Sequence, residues 1–113
     1  MENQKTKITF VVPEKLQHDM RQQIIADGYG MRGKSRWVAE AIIYLLSIPD
    51  LAEFVQYGDE LHGFERAETI VVPRELKRDL DKAILTVRRT HPTLEGVQSR
   101  IIRTSILQRL IRS

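Results

Sequence analysis

Two short stretches of the chain alternate apolar and polar positions, and a proline closes each of them. Residues 7–12 read KITFVV and residues 68–72 read ETIVV. β-Branched and aromatic residues at a period of two are typical of a strand that is buried on one face. Glu68 stands at a position of the second stretch whose side chain would face the core, which predicts that this strand begins late or frays there. The remaining inner positions are apolar: Ile8, Phe10, Val12, Ile70 and Val72.

Helical spacing of apolar residues follows each proline. Pro13 and Pro73 lack the N–H that a sheet ladder requires, but they suit the first turn of a helix, where this group has no partner. The first of these helices is expected to end near Gly28, since glycine readily adopts the left-handed conformation of a helix end. The second runs longer and ends before Pro92, because proline disfavours helix at the residue that precedes it.

A further, strongly apolar helix is predicted in each half of the chain, over Lys34–Leu46 and over residues 98–110. Ser35 and Ser99 stand where an N-cap or first-turn residue would satisfy free backbone amides. Apolar residues cover most sides of both helices, so both are expected to be buried on most sides. Trp37 is therefore assigned to the core or to a subunit contact rather than to base stacking. Three arginines near the end of the chain are assigned to a solvated helix face: Arg103, Arg109 and Arg112.

The strand, the proline and the start of the following helix form a phrase that occurs twice. Residues 9–20 read TFVVPEKLQHDM and residues 69–80 read TIVVPRELKRDL, and six of the twelve positions are identical where chance would give roughly one. One strand with two helices can neither bury such apolar helices nor satisfy its own backbone hydrogen bonds. The two copies are therefore expected to share one core, with their strands paired antiparallel about a centre where Thr9 lies opposite Thr69. Lys7 then lies opposite Val71.

The predicted fold is mostly α-helical with a two-stranded antiparallel β-ribbon. A first unit covers residues 5–47 and a second unit covers residues 67–113. A linker over residues 48–66 joins them, and some of its apolar residues are spaced as in a short helix. At about 3.3 Å per residue, this linker is long enough to cross a domain of this size.

Charge is distributed unevenly along the chain. The net charge is +3, but residues 1–60 carry seven Lys or Arg against nine Asp or Glu, whereas residues 61–113 carry eleven against six. Nine of these eleven are arginines. Such an asymmetry indicates a polyanionic partner.

The composition disfavours several classes of protein. The 113 residues include no cysteine, which excludes disulfides and cysteine-based metal sites or nucleophiles. No run of about eighteen apolar residues predicts a membrane span, and the polar N-terminal residues lack the apolar core of a signal peptide. No metal-ligand cluster, glycine-rich phosphate loop or Ser–His–Asp spacing is recognisable. We therefore expect a soluble, cytoplasmic protein without cofactor, membrane partner or enzymatic activity.

The order strand, proline, helix, loop, helix resembles the ribbon–helix–helix family, which includes the Arc and MetJ repressors. The resemblance is carried by TFVVPEKL, TIVVPREL and the SR pairs that open the later helices at Ser35 and Ser99, and it covers residues 5–47 and 68–113. It implies a tandem ribbon–helix–helix chain, βαα-βαα, that forms an intrachain pseudodimer. It also implies sequence-specific binding of double-stranded DNA, with the β-ribbon in the major groove.

The resemblance assigns two sets of residues to DNA. Outward-facing residues of the ribbon would read base edges, and Lys5, just before the first strand, would extend this readout. The starts of the later helices and the loops before them would bind phosphates, because free amides and the helix dipole favour anions there. The base-reading set is Lys5, Lys7, Thr9, Val11, Ala67, Thr69 and Val71. The phosphate-binding set is Arg32, Lys34, Ser35, Arg36, Arg88, Arg89, His91, Ser99 and Arg100.

Three functions are compatible with these patterns. The first is a transcriptional regulator that represses by occluding polymerase at an operator. The second is a relaxosome accessory protein that binds an origin of transfer in conjugation, with a relaxase as partner, since SIPDLAEF at residues 47–54 resembles a segment of TraY-type plasmid proteins. The third is a protein-interaction module that keeps the fold without binding DNA. Family members often bind as adjacent copies, so a homo-oligomer on neighbouring sites is also open.

Overall fold

Two strands and five helices follow one another in the computed structural model, which describes residues 4–30, 32–57 and 65–112. The strands form one antiparallel sheet, and most of the described residues are helical. In chain order the elements are β1 (Lys5–Pro13), α1 (Glu14–Ala26), α2 (Lys34–Leu46), α3 (Leu51–Tyr57), β2 (Glu65–Pro73), α4 (Arg74–Thr90) and α5 (Val97–Arg112). The expectation of a mostly α-helical fold with a two-stranded antiparallel ribbon is therefore confirmed.

The sheet has the predicted register. Thr9 lies opposite Thr69, and Lys7 lies opposite Val71. The hydroxyl oxygens of the two threonines are 3.2 Å apart, which allows a hydrogen bond across the ribbon. The five apolar residues of the inner face are each no more than 1% exposed. The period-two pattern therefore identified the buried face of both strands correctly.

The helices pack against the inner face of the sheet and share one core with it. Trp37 of α2 is fully buried, as predicted, and its indole N–H donates to the Asp27 carboxylate at 2.9 Å. Full burial of one large apolar side chain contributes about 1.5–3 kcal/mol. All seven elements contribute buried apolar side chains to this core, which is therefore the main stabilising contribution. The largest fully buried helical side chains are Met20, Trp37, Ile42, Leu45, Leu80, Ile101, Ile102 and Ile106.

Prolines and glycines set the helix boundaries. Pro13 and Pro73 end their strands in nearly the same backbone conformation, with φ of −60° and −59° and ψ of 147° and 146°. Helix α1 ends at Ala26 and is followed by Gly28, whose φ of +82° lies in the left-handed region that favours glycine. Helix α4 is longer and ends at Thr90, ahead of the next proline. These boundaries agree with the prediction.

Strand β2 begins at Glu65, so the prediction that it starts late or frays at Glu68 is wrong. Glu68 lies on the inner face and is 4% exposed. Its carboxylate accepts hydrogen bonds from Gln17 at 2.5 Å, from Arg21 at 2.9 Å and from Lys34 at 2.7 Å. These donors replace the water that burial removes, and the strand can therefore continue through a charged residue.

Helix α5 buries arginines that the sequence assigned to solvent. Arg103 is 8% exposed and donates to the carbonyl oxygen of Val11 at 2.9 Å. The side chain of Arg109 is 16% exposed and donates to the carbonyl oxygen of Trp37 at 2.8 Å. Arg112 is exposed. The predicted solvated face is therefore wrong for two of the three arginines, because backbone acceptors far away in the sequence reach them.

The predicted linker contains helix α3, in which Leu51 and Val55 are buried and Phe54 is 45% exposed. Strand β2 starts at Glu65, slightly ahead of the predicted start of the second unit. The linker residues 58–64 and the terminal Ser113 lie outside the described residues. In the part of the chain that the structure describes, no helix has the length and apolar character needed to cross a membrane.

Candidate nucleic-acid interface

The outer face of the ribbon, which points away from the helices, is open to solvent. Six of the seven predicted base-reading residues are exposed, and the seventh, Val11, is half-buried. Both strands of the ribbon thus present accessible side chains, which are either lysines or short side chains. The exposed six are Lys5, Lys7, Thr9, Ala67, Thr69 and Val71.

Two serines hold the starts of α2 and α5 against the edges of the ribbon. The Val71 N–H donates to Oγ of Ser35 at 3.0 Å, and the Val11 N–H donates to Oγ of Ser99 at 3.0 Å. Both strands of a two-stranded sheet are edge strands, so the N–H groups that point away from the partner strand need other acceptors. The serines were expected to satisfy free amides at the starts of their own helices, but the amides that they accept from belong to the strands, and the N-cap of α2 is Gly33, without a side-chain hydrogen bond. Each hydroxyl keeps its own hydrogen for a further acceptor.

The two edges of the ribbon are covered differently. On the edge of β1, Gln98 donates to the carbonyl oxygen of Thr9 at 3.0 Å, next to the Ser99 contact. The residue before Ser35 on the other side is Lys34, whose ammonium instead turns under the sheet to Glu68 at 2.7 Å. Lys34 is 33% exposed. This predicted phosphate-binding lysine is therefore already engaged in an ion pair.

The first phosphate-binding set gathers at one end of the ribbon. Lys5, Arg32, Ser35, Arg36 and Val71 line one groove between the ribbon and the start of α2. Arg32 is exposed, and the side chain of Arg36 is 69% exposed. The groove thus combines base-reading candidates from the strands with phosphate-binding candidates from the helix. Protein–DNA interfaces need both kinds of contact side by side.

The second phosphate-binding set is spread over a wider surface. Arg100 lies in the first turn of α5, and its Nε donates to a carbonyl oxygen of the preceding loop at 3.1 Å. Arg88 and Arg89 are exposed in the last turn of α4. The imidazole of His91 turns toward α3, with Nε2 3.6 Å from a carboxylate oxygen of Glu53. Arg100 is thus adjacent in sequence to the serine that contacts β1, whereas His91 faces a helix of the linker.

Tyr29, in the loop before α2, supports the side chain of Arg36. The Arg36 guanidinium lies over the Tyr29 ring, 4.3 Å from its centroid, and such a contact contributes about 0.5–1 kcal/mol at an exposed site. The Tyr29 hydroxyl donates to the Glu40 carboxylate and accepts from Nη2 of Arg109 at 2.9 Å. The hydrogen bond from Tyr29 is the main cause that holds the pKa of Glu40 below its usual value. Sequence reasoning missed this cluster, because its members come from three separate segments.

Gly33 allows the loop before α2 to approach the start of that helix closely. A Cβ atom at Gly33 would lie 2.4 Å from both Cβ and the carbonyl oxygen of Tyr29, which is closer than real atoms approach. Any side chain at this position would therefore displace the loop that carries Arg32. In the sequence, this close approach is indicated only by the run GYGMRG at residues 28–33, which has three glycines within six residues.

Replacing Ser99 with alanine is expected to lower the free energy of unfolding by about 1–2 kcal/mol, because the partly buried Val11 amide loses its acceptor. Replacing Ser35 should cost less, about 0.5–1 kcal/mol, since the Val71 amide is exposed to water. Urea denaturation measures both values. Ser47→Ala, which removes an exposed hydroxyl bonded within its own helix turn, is the matched control and should change stability by less than about 0.5 kcal/mol. An equal effect of Ser99→Ala and Ser47→Ala would contradict the assigned role.

Comparisons of the chain with protein-family models, with curated protein sequences and with solved structures returned no match. Among residues 4–30, 32–57 and 65–112, no group of three His, Cys, Asp or Glu side chains is arranged to hold a metal ion. The candidate interface is therefore defined by its own geometry: an exposed ribbon and two helix starts held at its edges.

Proposed function

We propose that this chain is a ribbon–helix–helix DNA-binding protein that represses transcription by occupying an operator. Strands β1 and β2 enter the major groove of double-stranded DNA, and the starts of α2 and α5 contact phosphates on the two sides of that groove. The observation that carries the proposal is the exposed outer face of the ribbon, flanked by the helix starts that Ser35 and Ser99 attach to it.

The size and the chemistry of the ribbon support this docking. Neighbouring strands lie about 4.8 Å apart and the major groove is about 12 Å wide, so a two-stranded ribbon fits with its side chains against the base edges. The outer face offers a lysine that can donate to guanine, threonines that can donate or accept, and valine and alanine methyls that can contact thymine methyls. Each base-pair type therefore has a suitable side chain on this face.

The proposal treats the two halves as a pseudodimer with an approximate two-fold axis through the centre of the ribbon. Reciprocal contacts support it, since the start of α2 binds β2 and the start of α5 binds β1. Thr9 and Thr69 meet at the centre of the register. Pro13 and Pro73 differ by 1° in each backbone angle, as expected for equivalent positions.

Phosphate contacts are assigned according to exposure and existing partners. Residues next to the ribbon edges are assigned to the phosphates nearest the centre of the site, because free helix amides and side chains converge there. Arg88 and Arg89 are left for flanking phosphates, whereas the side chains of Lys34 and His91 are only 33% and 17% exposed and already face carboxylates. Arg36 also lies 4.0 Å from the Glu40 carboxylate, but its side chain is 69% exposed. The central set is Arg32, Ser35, Arg36, Ser99 and Arg100.

Selection of duplexes from a random pool by the purified protein tests the proposal. We expect enrichment of one short sequence, and a reporter gene placed behind that sequence should be repressed. Absence of binding to any duplex at about 1 µM protein in about 50 mM salt would contradict the proposal, since even non-specific affinity is measurable there. Binding without repression would favour the accessory role in conjugation over the regulatory one.

Replacing Lys7 and Thr9 with alanine is expected to relax sequence preference while the fold stays intact. Each base contact contributes about 1–3 kcal/mol of discrimination, so the ratio of specific to non-specific affinity should fall by about tenfold or more. Competition between the selected duplex and a scrambled duplex measures this ratio. Lys15→Ala/Thr86→Ala removes the same two side-chain types from exposed helix positions and should leave the ratio unchanged. An unaltered ratio in the Lys7→Ala/Thr9→Ala variant would show that the ribbon does not read bases.

A further inference from the structure

We propose that the chain binds DNA in a single orientation, on a site whose two halves differ in sequence. This inference rests on the proposed function and concerns how the same interface reads its site. It follows from the separation of charge along the outer face of the ribbon.

The register of the ribbon places its outward charges at opposite ends. At one end, here the basic end, Lys5 lies opposite Pro73 and Lys7 lies opposite Val71. At the other, here the acidic end, Pro13 lies opposite Glu65. Glu65 is exposed, and its side chain points to the outer face of the sheet, as do those of every second residue after it in β2. Two ammonium groups and one carboxylate are thus separated along a face that is otherwise neutral.

The two helix starts lie at opposite ends of the ribbon. Ser35 attaches the start of α2 to Val71, at the basic end, and Arg32 and Arg36 line the groove there together with Lys5. The start of α5 lies toward the acidic end, where Ser99 contacts the amide of Val11, opposite Ala67. The loop before α5 carries the exposed carboxylate of Glu95. Arg100 in the first turn of α5 and the exposed Arg66 opposite Val12 are cations at the acidic end, and Glu40 also lines the groove at the basic end. The two ends therefore differ in charge on the outer face of the ribbon itself, where Lys5 and Lys7 lie at one end and Glu65 at the other.

The two ends suit different base pairs. Lysine donates to the acceptor oxygen and nitrogen of guanine, whereas glutamate accepts from the cytosine amino group and alanine or valine methyls contact thymine. We therefore expect guanine in the half-site under Lys5 and Lys7, and cytosine or thymine on the corresponding strand under Glu65 and Ala67. Turning the protein round would bring the Glu65 carboxylate against guanine acceptors, and this mismatch should disfavour the reversed complex by at least about tenfold.

Site-directed cleavage of DNA tests the orientation. Because the chain has no cysteine, one introduced thiol is a unique attachment point for an iron–EDTA chelate. Glu14 and Arg74 are exposed, follow the prolines that end β1 and β2, and therefore mark the acidic and the basic end respectively. With the duplex selected from the random pool, the Arg74→Cys conjugate should cleave the flank next to the guanine half-site. The Glu14→Cys conjugate should cleave the opposite flank, each with at least about a tenfold excess.

A charge change at the acidic end tests the cause. Glu65→Lys gives both ends of the ribbon a positive charge. The excess of cleavage at one flank over the other should then fall to about threefold or less. Asp79→Lys, the same reversal of charge on the exposed surface of α4, should leave the excess unaltered. Equal cleavage of both flanks by each conjugate would overturn the single orientation, and an unchanged excess in Glu65→Lys would overturn its electrostatic origin. Failure of the unmodified chain to bind any duplex would instead overturn the proposed function, and this inference with it.

Discussion

Replacing both Arg36 and Arg100 with alanine is expected to weaken binding to every duplex by about 60-fold at about 0.1 M salt. Each phosphate contact releases roughly one counterion, so each contributes a factor of about 8 to the binding constant at this salt concentration. The slope of log Kd against log salt should therefore also flatten by about 2 in the double variant. Fluorescence anisotropy titrations at several salt concentrations, on the selected and on a scrambled duplex, measure both quantities.

The effect should be uniform over sequences because the two arginines act from opposite edges of the ribbon and away from the bases. Each follows directly after one of the serines that contact the strands. The variant Lys82→Ala/Arg112→Ala removes the same charge from the middle of α4 and the last turn of α5, and it should bind almost as the unmodified chain does. A change in sequence preference alone, with the salt slope kept, would mean that the proposed docking is wrong.

Replacing Glu68 with alanine is expected to lower the free energy of unfolding by about 2–4 kcal/mol at neutral pH. The carboxylate is almost fully buried, and its removal leaves the Lys34 ammonium, the Arg21 guanidinium and the Gln17 amide without their common acceptor. Urea denaturation followed by circular dichroism measures the change. Glu68→Gln, which keeps the shape but not the charge, should give an intermediate value.

The contribution of Glu68 should depend on pH in a defined direction. Burial by itself raises the pKa of Glu68, but hydrogen bonds from Lys34 and Gln17, together with the charges of Lys34 and Arg21, outweigh burial and lower the pKa below its usual value. A lowered folded-state pKa stabilises the protein fully above the unfolded-state value of about 4.3, and this stabilisation is lost as the pH falls through the folded-state pKa. The difference in stability between the unmodified chain and Glu68→Ala should therefore shrink between about pH 5 and about pH 2.

An exposed ion pair provides the control for this experiment. The Glu14 carboxylate meets the Arg66 guanidinium at 2.5 Å, but both side chains are more than half exposed. Exposed pairs contribute at most about 1 kcal/mol, so Glu14→Ala should change stability little at any pH. If Glu68→Ala lost as much stability at about pH 2 as at neutral pH, loss of packing rather than loss of charge would explain it.

The strands, their register and most helix ends could be predicted from the sequence because local rules decide them. Alternation of apolar residues identified the buried face, and duplicated segments fixed Thr9 against Thr69. Pro13 and Pro73 mark the change from strand to helix in both copies, since the missing N–H is tolerated in only a few positions. The accessible positions of the candidate interface follow from the same alternation.

The buried charges could not be predicted, because local patterns assign charge to solvent. Glu68 interrupts an otherwise apolar face, and the donors that satisfy it are 34 to 51 residues away in the chain. Arg103 reaches an acceptor 92 residues away. The position of Tyr29 under Arg36 likewise depends on how α5 packs beside α2. Each of these contacts exists only once the tertiary fold has formed, and the loop geometry of the candidate interface depends on them.

The hydrogen bond between the Ser99 hydroxyl and the Val11 amide joins residues that are 88 positions apart, and this separation affects how the protein emerges from the ribosome. At about 5–20 residues per second, synthesis needs roughly 4–18 s to supply the partner. Until then the edge of β1 lacks the helix that covers it, although β2, which ends at Pro73, has already been made. The contact between α5 and β1 therefore forms only after nearly the whole chain has been made, so covering of this edge of the ribbon is one of the last steps of folding during synthesis.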